Sequence, residues 1–194
     1  MTNTLHIAVI VGSTRQQRFS EKPAKWIFEE TQKVDGVTAE LLDLRDFPMP
    51  FFDDAESPMM RKGQHANPIV RAFGEKIARA DAFIIVTPEY NYGYPAVLKN
   101  ALDHFFHEWN KKVVGFVSYG GVAGVRSVEQ LRTVACGLDM VPLREAIHIA
   151  QFWSALDDQG NLKADAVKGQ AEKFLPQLVW WGNALKQARE ETKK

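Results

Sequence analysis

The chain has 194 residues, of which 45% are hydrophobic and 25% charged, a length and composition typical of one soluble globular domain. Its 24 basic residues balance 24 acidic ones, so no overall field attracts nucleic acid or an anionic membrane. Because Cys136 is the single cysteine, the sequence excludes an intramolecular disulfide and a multi-cysteine metal site. We expect a single domain over residues 1–194 in the cytoplasm, with neither nucleic acid nor a membrane as its partner.

Short apolar runs rich in β-branched residues alternate with amphipathic stretches along the chain. The runs predict five strands, at residues 5–11, 37–44, 82–87, 113–118 and 140–149. The amphipathic stretches predict helices at residues 20–34, 68–80, 95–108, 122–137 and 164 to about 191, the last one bent or broken at Pro176. This alternation predicts an α/β fold, namely a flavodoxin-like, doubly wound, five-stranded parallel sheet in the order 2-1-3-4-5 with helices on both faces.

Ligands of doubly wound sheets lie beyond the carboxyl ends of the strands, so the loop after the first strand is a candidate site. Loop one, residues 12–20, combines hydroxyl groups, the guanidinium groups of Arg15 and Arg18 and the N–H groups of a helix start. This combination suits a phosphate dianion. Loop one matches neither the Walker A pattern nor Gly-x-Gly-x-x-Gly, which favours a single terminal phosphate over a bridging pyrophosphate. The alternative is that Ser20 caps the helix while both arginines are solvated.

Loop two, residues 87–95, follows the third strand and contains three tyrosines, Tyr90, Tyr92 and Tyr94. Aromatic side chains and outward-turned N–H groups hold a flat ring system and its carbonyl edge together. The sequence therefore predicts a flat aromatic ligand here. The alternative is a packed turn or a subunit contact.

Loop three, residues 118–124, follows the fourth strand and contains three glycines. Glycine exposes the backbone, which allows a ring system to approach closely. Gly-rich turns are common between a strand and a helix, so the informative feature is the position of loop three beside the other two loops.

Together the three loops resemble the NADPH-dependent FMN reductase family of flavodoxin-like proteins, which includes quinone, azo-dye and chromate reductases. The resemblance covers about residues 5–150. Its specific parts are Gly12-Ser-Thr-Arg with Arg18, Pro88-Glu-Tyr-Asn91 with Leu98-Lys-Asn-Ala-Leu-Asp103, and Ser118-Tyr-Gly-Gly121.

The resemblance implies a set of FMN-binding residues in each loop. The residues that would hold the phosphate are Ser13, Arg15, Arg18 and Ser20. Those that would line the isoalloxazine ring and its pyrimidine edge are Pro88, Glu89, Tyr90, Asn91 and Tyr92. Those that would close over the flavin from the far side are Ser118, Tyr119, Gly120 and Gly121. Glu21 departs from the family pattern, because its carboxylate either folds away from the phosphate or faces it and weakens FMN binding.

The resemblance also implies an enzyme with FMN and NADPH or NADH as its cofactors. We expect hydride transfer from the nicotinamide to flavin N5 and then to a small-molecule acceptor: a quinone, free flavin, an azo or nitro compound, or a metal oxyanion. Donor and acceptor take turns at one open flavin face. Because the cofactor carries this chemistry, we assign no catalytic acid and no metal.

Two other functions remain open at this point. The first is a non-catalytic electron carrier of the flavodoxin type, although such carriers are usually acidic, to dock basic partners, and this chain is neutral. The second is a nucleotide-binding or phosphotransfer module on the same kind of sheet, since a fold alone does not fix a function.

Side chains outside the three loops carry further interpretations. His104 and Glu108 lie one helical turn apart and are interpreted as a surface pair rather than a proton relay or half of a metal site. Cys136 lies in an apolar helical stretch and is interpreted as a buried structural thiol. Arg126 either reaches the mouth of the site and meets an anionic group there, or is solvated.

The predicted helix at residues 95–108 and its flanks carry more large apolar side chains than one helix face packed on a sheet can cover. They are Tyr92, Tyr94, Leu98, Leu102, Phe105, Phe106 and Trp109. Exposed apolar patches mark association sites, and two-fold symmetry most often closes them. We therefore expect a homodimer or a homotetramer with this region at an interface. The alternative is that residues 45–67 of the same chain cover the helix.

Overall fold

Parallel strands form the centre of the molecule. In the computed structural model, which describes residues 4–61, 63–167 and 169–192, the strands are β1 (Leu5–Val11), β2 (Val37–Asp43), β3 (Ala82–Pro88), β4 (Val113–Gly120) and β5 (Val141–Ala150). They form an all-parallel sheet in the order β2-β1-β3-β4-β5, which confirms the predicted fold class. Strands β1, β3 and β4 are buried along almost their whole length, because helices cover them on both faces.

Helices connect the strands and form the two outer layers. They are α1 (Glu21–Gln32), α2 (Pro58–Arg61), α3 (Pro68–Arg79), α4 (Ala96–Asp103), α5 (Val125–Gly137), α6 (Ala164–Val167) and α7 (Ala171–Glu191), with a 3-10 turn at Phe152–Ser154. Ile27 of α1 and Phe174 of α7 belong to the core on one face of the sheet. Phe73 of α3, Leu102 of α4 and Leu131 of α5 belong to the core on the other face. Within the described residues, no helix has the length and apolar character to cross a membrane.

Helix α4 ends earlier than predicted. The prediction extended it to residue 108, but the helix ends at Asp103 and turns follow. Phe105 and Trp109 are each 1% exposed and pack against Phe73 and Phe83. Positions 98, 102, 105 and 109 have helical spacing, so periodicity does not distinguish a longer helix from turns that bury the same side chains.

Two other predicted helices also have different bounds. Helix α5 begins at Val125 because the backbone before it is left-handed, with φ of 59° at Ala123 and 73° at Gly124. The last predicted helix is divided into α6 and α7, and Lys168, between them, lies outside the described residues. Helix α7 continues through Pro176, so of the two effects predicted for that proline the break is wrong, and the bend stays a prediction.

The described residues of the 45–67 segment pack across α4. Asn100 of α4 donates a hydrogen bond from Nδ2 to the Pro50 carbonyl at 2.8 Å and accepts one from the Phe52 N–H at 2.8 Å. His104 donates from Nε2 to the same Pro50 carbonyl at 2.9 Å. Of the seven large apolar residues that were predicted to need further cover, four are at most 1% exposed, namely Leu98, Leu102, Phe105 and Trp109. The region predicted to need a second subunit is therefore covered largely within its own chain.

His104 and Glu108 do not form the surface pair that was predicted. His104 is 2% exposed and bonds to Pro50, while Glu108 lies 3.2 Å from Nε2 of His65. The interpretation fails because α4 ends before Glu108, so the two side chains do not share a helix face.

Cys136 is exposed, so its interpretation as a buried thiol is wrong. Helix α5 buries the face that carries Val128, Leu131 and Ala135. Position 136 is rotated by about 100° from position 135, which turns its side chain off that face.

Candidate functional site

Loops one, two and three follow β1, β3 and β4 at the carboxyl edge of the sheet, and two tyrosine hydroxyls join them. Tyr90 of loop two lies 2.9 Å from the Ser13 hydroxyl of loop one. Tyr119 lies 2.5 Å from the Ser20 hydroxyl. Burial raises the pKa of the Tyr119 phenol, so this group stays protonated and keeps its hydrogen bond. The loops therefore form one continuous surface.

Arg18 lies beneath loop one rather than on its surface. Its side chain is 1% exposed and forms an ion pair with Asp43, at the end of β2, through both terminal nitrogens. The same guanidinium donates to the Ser13 carbonyl and, at 3.1 Å, to the Glu21 carboxylate. These contacts use four of the five N–H donors of the guanidinium and place Arg18 under the loop, and its expected contact with a phosphate stays a prediction.

Glu21 folds away from the surface of loop one. Its carboxylate accepts a hydrogen bond from Arg45 at 2.9 Å as well as the one from Arg18. Arg45 in turn donates to the carbonyl groups of Thr14 and Arg15. Of the two alternatives for this carboxylate, the structure supports the one in which it folds away from the phosphate. The Arg15 side chain is exposed, which leaves its guanidinium available at the loop surface.

Loop two contains a tight turn with a left-handed backbone. Tyr90 and Gly93 exchange backbone hydrogen bonds of 2.8 and 3.1 Å, and the residues between them, Asn91 and Tyr92, have φ of 50° and 71°. Positive φ at both central residues is the pattern of a type I′ turn, which favours Asn and Gly. A tyrosine in this conformation is strained, and such strain is concentrated at functional sites.

Arg126, at the start of α5, contacts loop two with a side chain that stays 41% exposed. Its guanidinium bonds to Glu89 at 2.6 Å and lies 3.9 Å from the centre of the Tyr92 ring. The Glu89 side chain is 7% exposed, so this pairing provides the buried carboxylate with a countercharge. The Tyr92 ring is 67% exposed.

Hydrogen bonds of a buried serine and a histidine support loop three. Ser118 is fully buried and donates from its hydroxyl to the Ala123 carbonyl at 2.8 Å. Nδ1 of His148, on β5, lies 2.8 Å from the same hydroxyl and donates to it, since the serine proton is already used. Burial lowers the pKa of His148. Ser118 thus shapes loop three rather than lining its surface.

The structure divides the thirteen predicted site residues by exposure. The exposed ones are Arg15, Asn91, Tyr92 and Gly121. The half-buried ones are Glu89 and Tyr90. The buried ones are Ser13, Arg18, Ser20, Pro88, Ser118, Tyr119 and Gly120. More than half of the set is therefore buried.

Sequence reasoning missed several residues that support the site. They are Asp43, Arg45, Gln130 and His148. Asp43 pairs in register with Val11, directly before loop one, so the rule that sites lie at strand carboxyl ends could have found it. Gln130 and His148 carry no such signal, because they lie within a helix and a strand.

The groups that the loops leave accessible fit FMN. The Arg15 guanidinium and the Thr14 hydroxyl suit a phosphate dianion. On the side of loop three, a Cβ built on Gly121 meets nothing within 4 Å, which leaves room for a ligand against the backbone. The exposed ring of Tyr92 suits a flat aromatic partner.

Comparison with known proteins bears directly on this interpretation. The family model described as NADPH-dependent FMN reductase matches residues 5–154, a span that includes all three loops. The chain belongs to this family. Family membership confirms the predicted resemblance, and it favours an enzyme that uses FMN and a reduced nicotinamide over an electron carrier or a phosphotransfer module.

Two curated relatives and one solved structure extend the likeness. An NAD(P)H-dependent FMN reductase of Schizosaccharomyces pombe is 44% identical over 137 residues, which cover 71% of this chain and 68% of the relative. A 2-hydroxy-1,4-benzoquinone reductase of a Burkholderia species is 30% identical over 187 residues, or 91% of this chain and 96% of the relative. The solved structure of FerB, a flavoenzyme NAD(P)H:(acceptor) oxidoreductase from Paracoccus denitrificans, has a TM-score of 0.75 and 21% identity, covering 93% of this chain and 98% of FerB. At 21% identity, the likeness to FerB supports the fold alone.

Proposed function

We propose that this chain works in the cytoplasm as an NAD(P)H-dependent reductase of quinone-type acceptors, with one FMN held by the three loops. The observation that carries the proposal is the convergence of the loops at one edge of the sheet, with the Arg15 guanidinium, the left-handed turn at Asn91 and Tyr92, and open backbone at Gly121. The Burkholderia quinone reductase, similar over 91% of this chain, supports a quinone as acceptor. We include free flavin, azo and nitro compounds and metal oxyanions in this proposal as further electron acceptors.

The proposed roles of the loop residues follow from their exposure. Loop one binds the phosphate through Arg15 and its backbone N–H groups, while Arg18 and Ser20 hold it in shape from below. Loop two faces the ring system with Asn91 and Tyr92, and loop three with its glycine backbone. This division keeps charged contacts at the phosphate and leaves flat surfaces for the ring.

When FMN is bound, the cofactor supplies the redox chemistry, accepting hydride from the nicotinamide and passing it on. The chain orients the ring, leaves one face of it accessible and directs backbone N–H groups towards the edge where negative charge develops. Hydride transfer of this kind needs no protein acid, and we assign no side chain to proton transfer.

Steady-state kinetics test the proposed function. We expect NADPH or NADH oxidation that depends on an added quinone and gives parallel lines in double-reciprocal plots, because donor and acceptor use the same open face in turn. A flavin absorption spectrum of the loaded protein is the accompanying control. Intersecting lines would show that both substrates bind together and would contradict the single open face. A protein that takes up no FMN would overturn the proposal as a whole.

We also propose that two or more copies associate through the outer surface of the 45–67 segment. This segment covers α4, yet it exposes large apolar side chains of its own: Phe51 is 80% exposed and Met60 66%. Exposed apolar patches mark association sites in soluble proteins. We propose that these side chains belong to one such patch and that a second copy of the chain covers it, in a homodimer or homotetramer.

Sedimentation at micromolar concentration tests this association. We expect the wild-type chain to sediment as a dimer or tetramer and Phe51→Asp to shift it towards the monomer. Trp180→Gln is the matched control, since Trp180 is a similarly exposed apolar residue, at 63%, on α7. A wild-type monomer would contradict the proposal, and so would an assembly that only the Trp180 variant disrupts.

A further inference from the structure

The turn at Asn91 and Tyr92 needs support from outside loop two. Both residues have positive φ, 50° and 71°, and a tyrosine at the second central position lacks the conformational freedom that glycine has in a type I′ turn. The two backbone hydrogen bonds between Tyr90 and Gly93 close the turn, but they form in any tight hairpin turn and do not offset the strain at Tyr92.

Two side chains of α5, one helical turn apart, contact this turn. Gln130 donates a hydrogen bond from Nε2 to the Tyr92 carbonyl at 2.9 Å, and a Cβ built on Gly93 would lie 3.0 Å from its Oε1. Arg126 lies over the Tyr92 ring. Positions 126 and 130 share one face of the helix, so the peptide and the ring of Tyr92 are both held by the same surface.

Helix α5 also fixes the base of loop two. The Ser127 hydroxyl donates to the Pro88 carbonyl at 2.9 Å. Glu89 accepts hydrogen bonds from both the side chain and the backbone N–H of Arg126, at 2.6 and 3.2 Å. The helix therefore contacts residues 88 and 89 at the start of the loop as well as the turn at its tip.

From these contacts we propose that the first two turns of α5 clamp loop two, and that Gln130 is a positioning residue for FMN. The proposal rests on the proposed function in one respect, namely that loop two faces the flavin ring. Gln130 acts through the Tyr92 peptide: its amide holds the carbonyl back against the helix, which keeps the left-handed turn formed before the cofactor arrives. Without this hydrogen bond the turn relaxes, and FMN binding has to restore it.

Gln130→Met tests the clamp because methionine keeps the length and neutrality of glutamine and removes the donor. In the FMN-free protein, we expect faster hydrogen exchange at the Gly93 amide, which bonds to Tyr90. In titrations with FMN, followed by quenching of flavin fluorescence, we expect the dissociation constant to rise roughly fivefold, the value of one ordinary hydrogen bond. Glu129→Gln is the control, since this neighbouring side chain is 74% exposed and pairs with Arg132, and it should change neither measurement.

The same substitution made in a Tyr92→Gly variant distinguishes a positioning role of Gln130 from direct contact with FMN. Tyr92→Gly removes the strain at the second turn position, so Gln130→Met added to it should weaken FMN binding less than twofold. Equal losses in both backgrounds would mean that Gln130 touches the cofactor itself, and would overturn the positioning role. Unchanged exchange at Gly93 in the single variant would overturn the clamp. Faster exchange with unchanged FMN affinity would leave the clamp in place and instead contradict the assignment of loop two to the flavin.

Discussion

Replacing Arg18 with methionine is expected to lower the free energy of unfolding by about 3 kcal/mol, because breaking a buried ion pair leaves its partner uncompensated. The Arg18 side chain is 1% exposed and Asp43 23%, so methionine fills much of the space but provides no charge for the carboxylate. The Ser13 carbonyl and Glu21 lose their contacts as well. Urea denaturation measures this loss directly.

Arg15→Ala is the matched control for Arg18→Met. Both replace an arginine of loop one, but Arg15 is exposed and its removal should leave the free energy of unfolding unchanged. Its loss should instead weaken FMN binding by about 1.5–3 kcal/mol, the range for a charge-assisted hydrogen bond. If Arg15→Ala leaves the FMN dissociation constant unchanged, Arg15 lies outside the site. If Arg18→Met is as stable as the wild-type chain, the supporting role of Arg18 is wrong.

The stability difference between the wild-type chain and Arg18→Met should depend on pH. Burial alone would raise the pKa of the Asp43 carboxyl, but hydrogen bonds from Arg18 and the Arg45 N–H and the charges of both arginines outweigh it and lower this pKa. A carboxyl with a depressed folded-state pKa stabilises the fold above its unfolded pKa and ceases to do so as the pH falls. The difference should therefore be full at pH 7 and shrink below about pH 4.

Gly124→Ala is expected to lower the free energy of unfolding by about 2 kcal/mol, because it adds a side chain to a strained, closely packed backbone position. Gly124 has φ of 73°, and a Cβ built on it would lie 2.8 Å from Cβ of Ser118 and 2.9 Å from the Tyr119 backbone. Neither neighbour moves freely, since both belong to β4. Loop three should therefore shift, and FMN affinity should fall by about tenfold or more, equivalent to 1.4 kcal/mol.

Gly121→Ala separates the effect on stability from the effect on FMN affinity. Its Cβ meets nothing within 4 Å, so the free energy of unfolding should match that of the wild-type chain, measured by the same urea titration. A higher FMN dissociation constant in this variant would therefore report a ligand close to the backbone. If Gly124→Ala leaves both stability and FMN affinity unchanged, loop three is not held as tightly as the contacts of Ser118 and Tyr119 indicate.

Much of the fold follows from local sequence patterns. The apolar runs predict all five strands to within a residue or two. The signal is clearest for β1, β3 and β4, because central parallel strands are buried on both faces and their sequence reads as a nearly continuous apolar run. The end of α4 is predicted less well. Phe105 and Trp109 have helical spacing but enter the core from turns, and the spacing of buried residues does not depend on which backbone presents them.

Only the exposed part of the candidate site can be predicted from the sequence. Residue types in the loops indicate phosphate and ring binding, and Arg15, Tyr92 and Gly121 are exposed as that function requires. The pattern of residue types does not predict which group each side chain contacts. Arg18 and Arg15 look alike in the sequence, and what distinguishes them is Asp43, which lies 25 residues away. The same holds for Ser118 and His148, which are joined only when β5 pairs with β4.

The order in which the three loops are synthesised has a consequence for folding in the cell. Loop one is complete at residue 20 and loop two at residue 95, whereas loop three ends at residue 124 and its support includes His148 on the last strand. Strands β1, β2 and β3 are therefore synthesised before the proposed cofactor site is complete, and these early apolar strands have to avoid aggregation without help from FMN. A contribution of the cofactor through all three loops therefore requires that β5 has been synthesised, because His148 on that strand supports loop three.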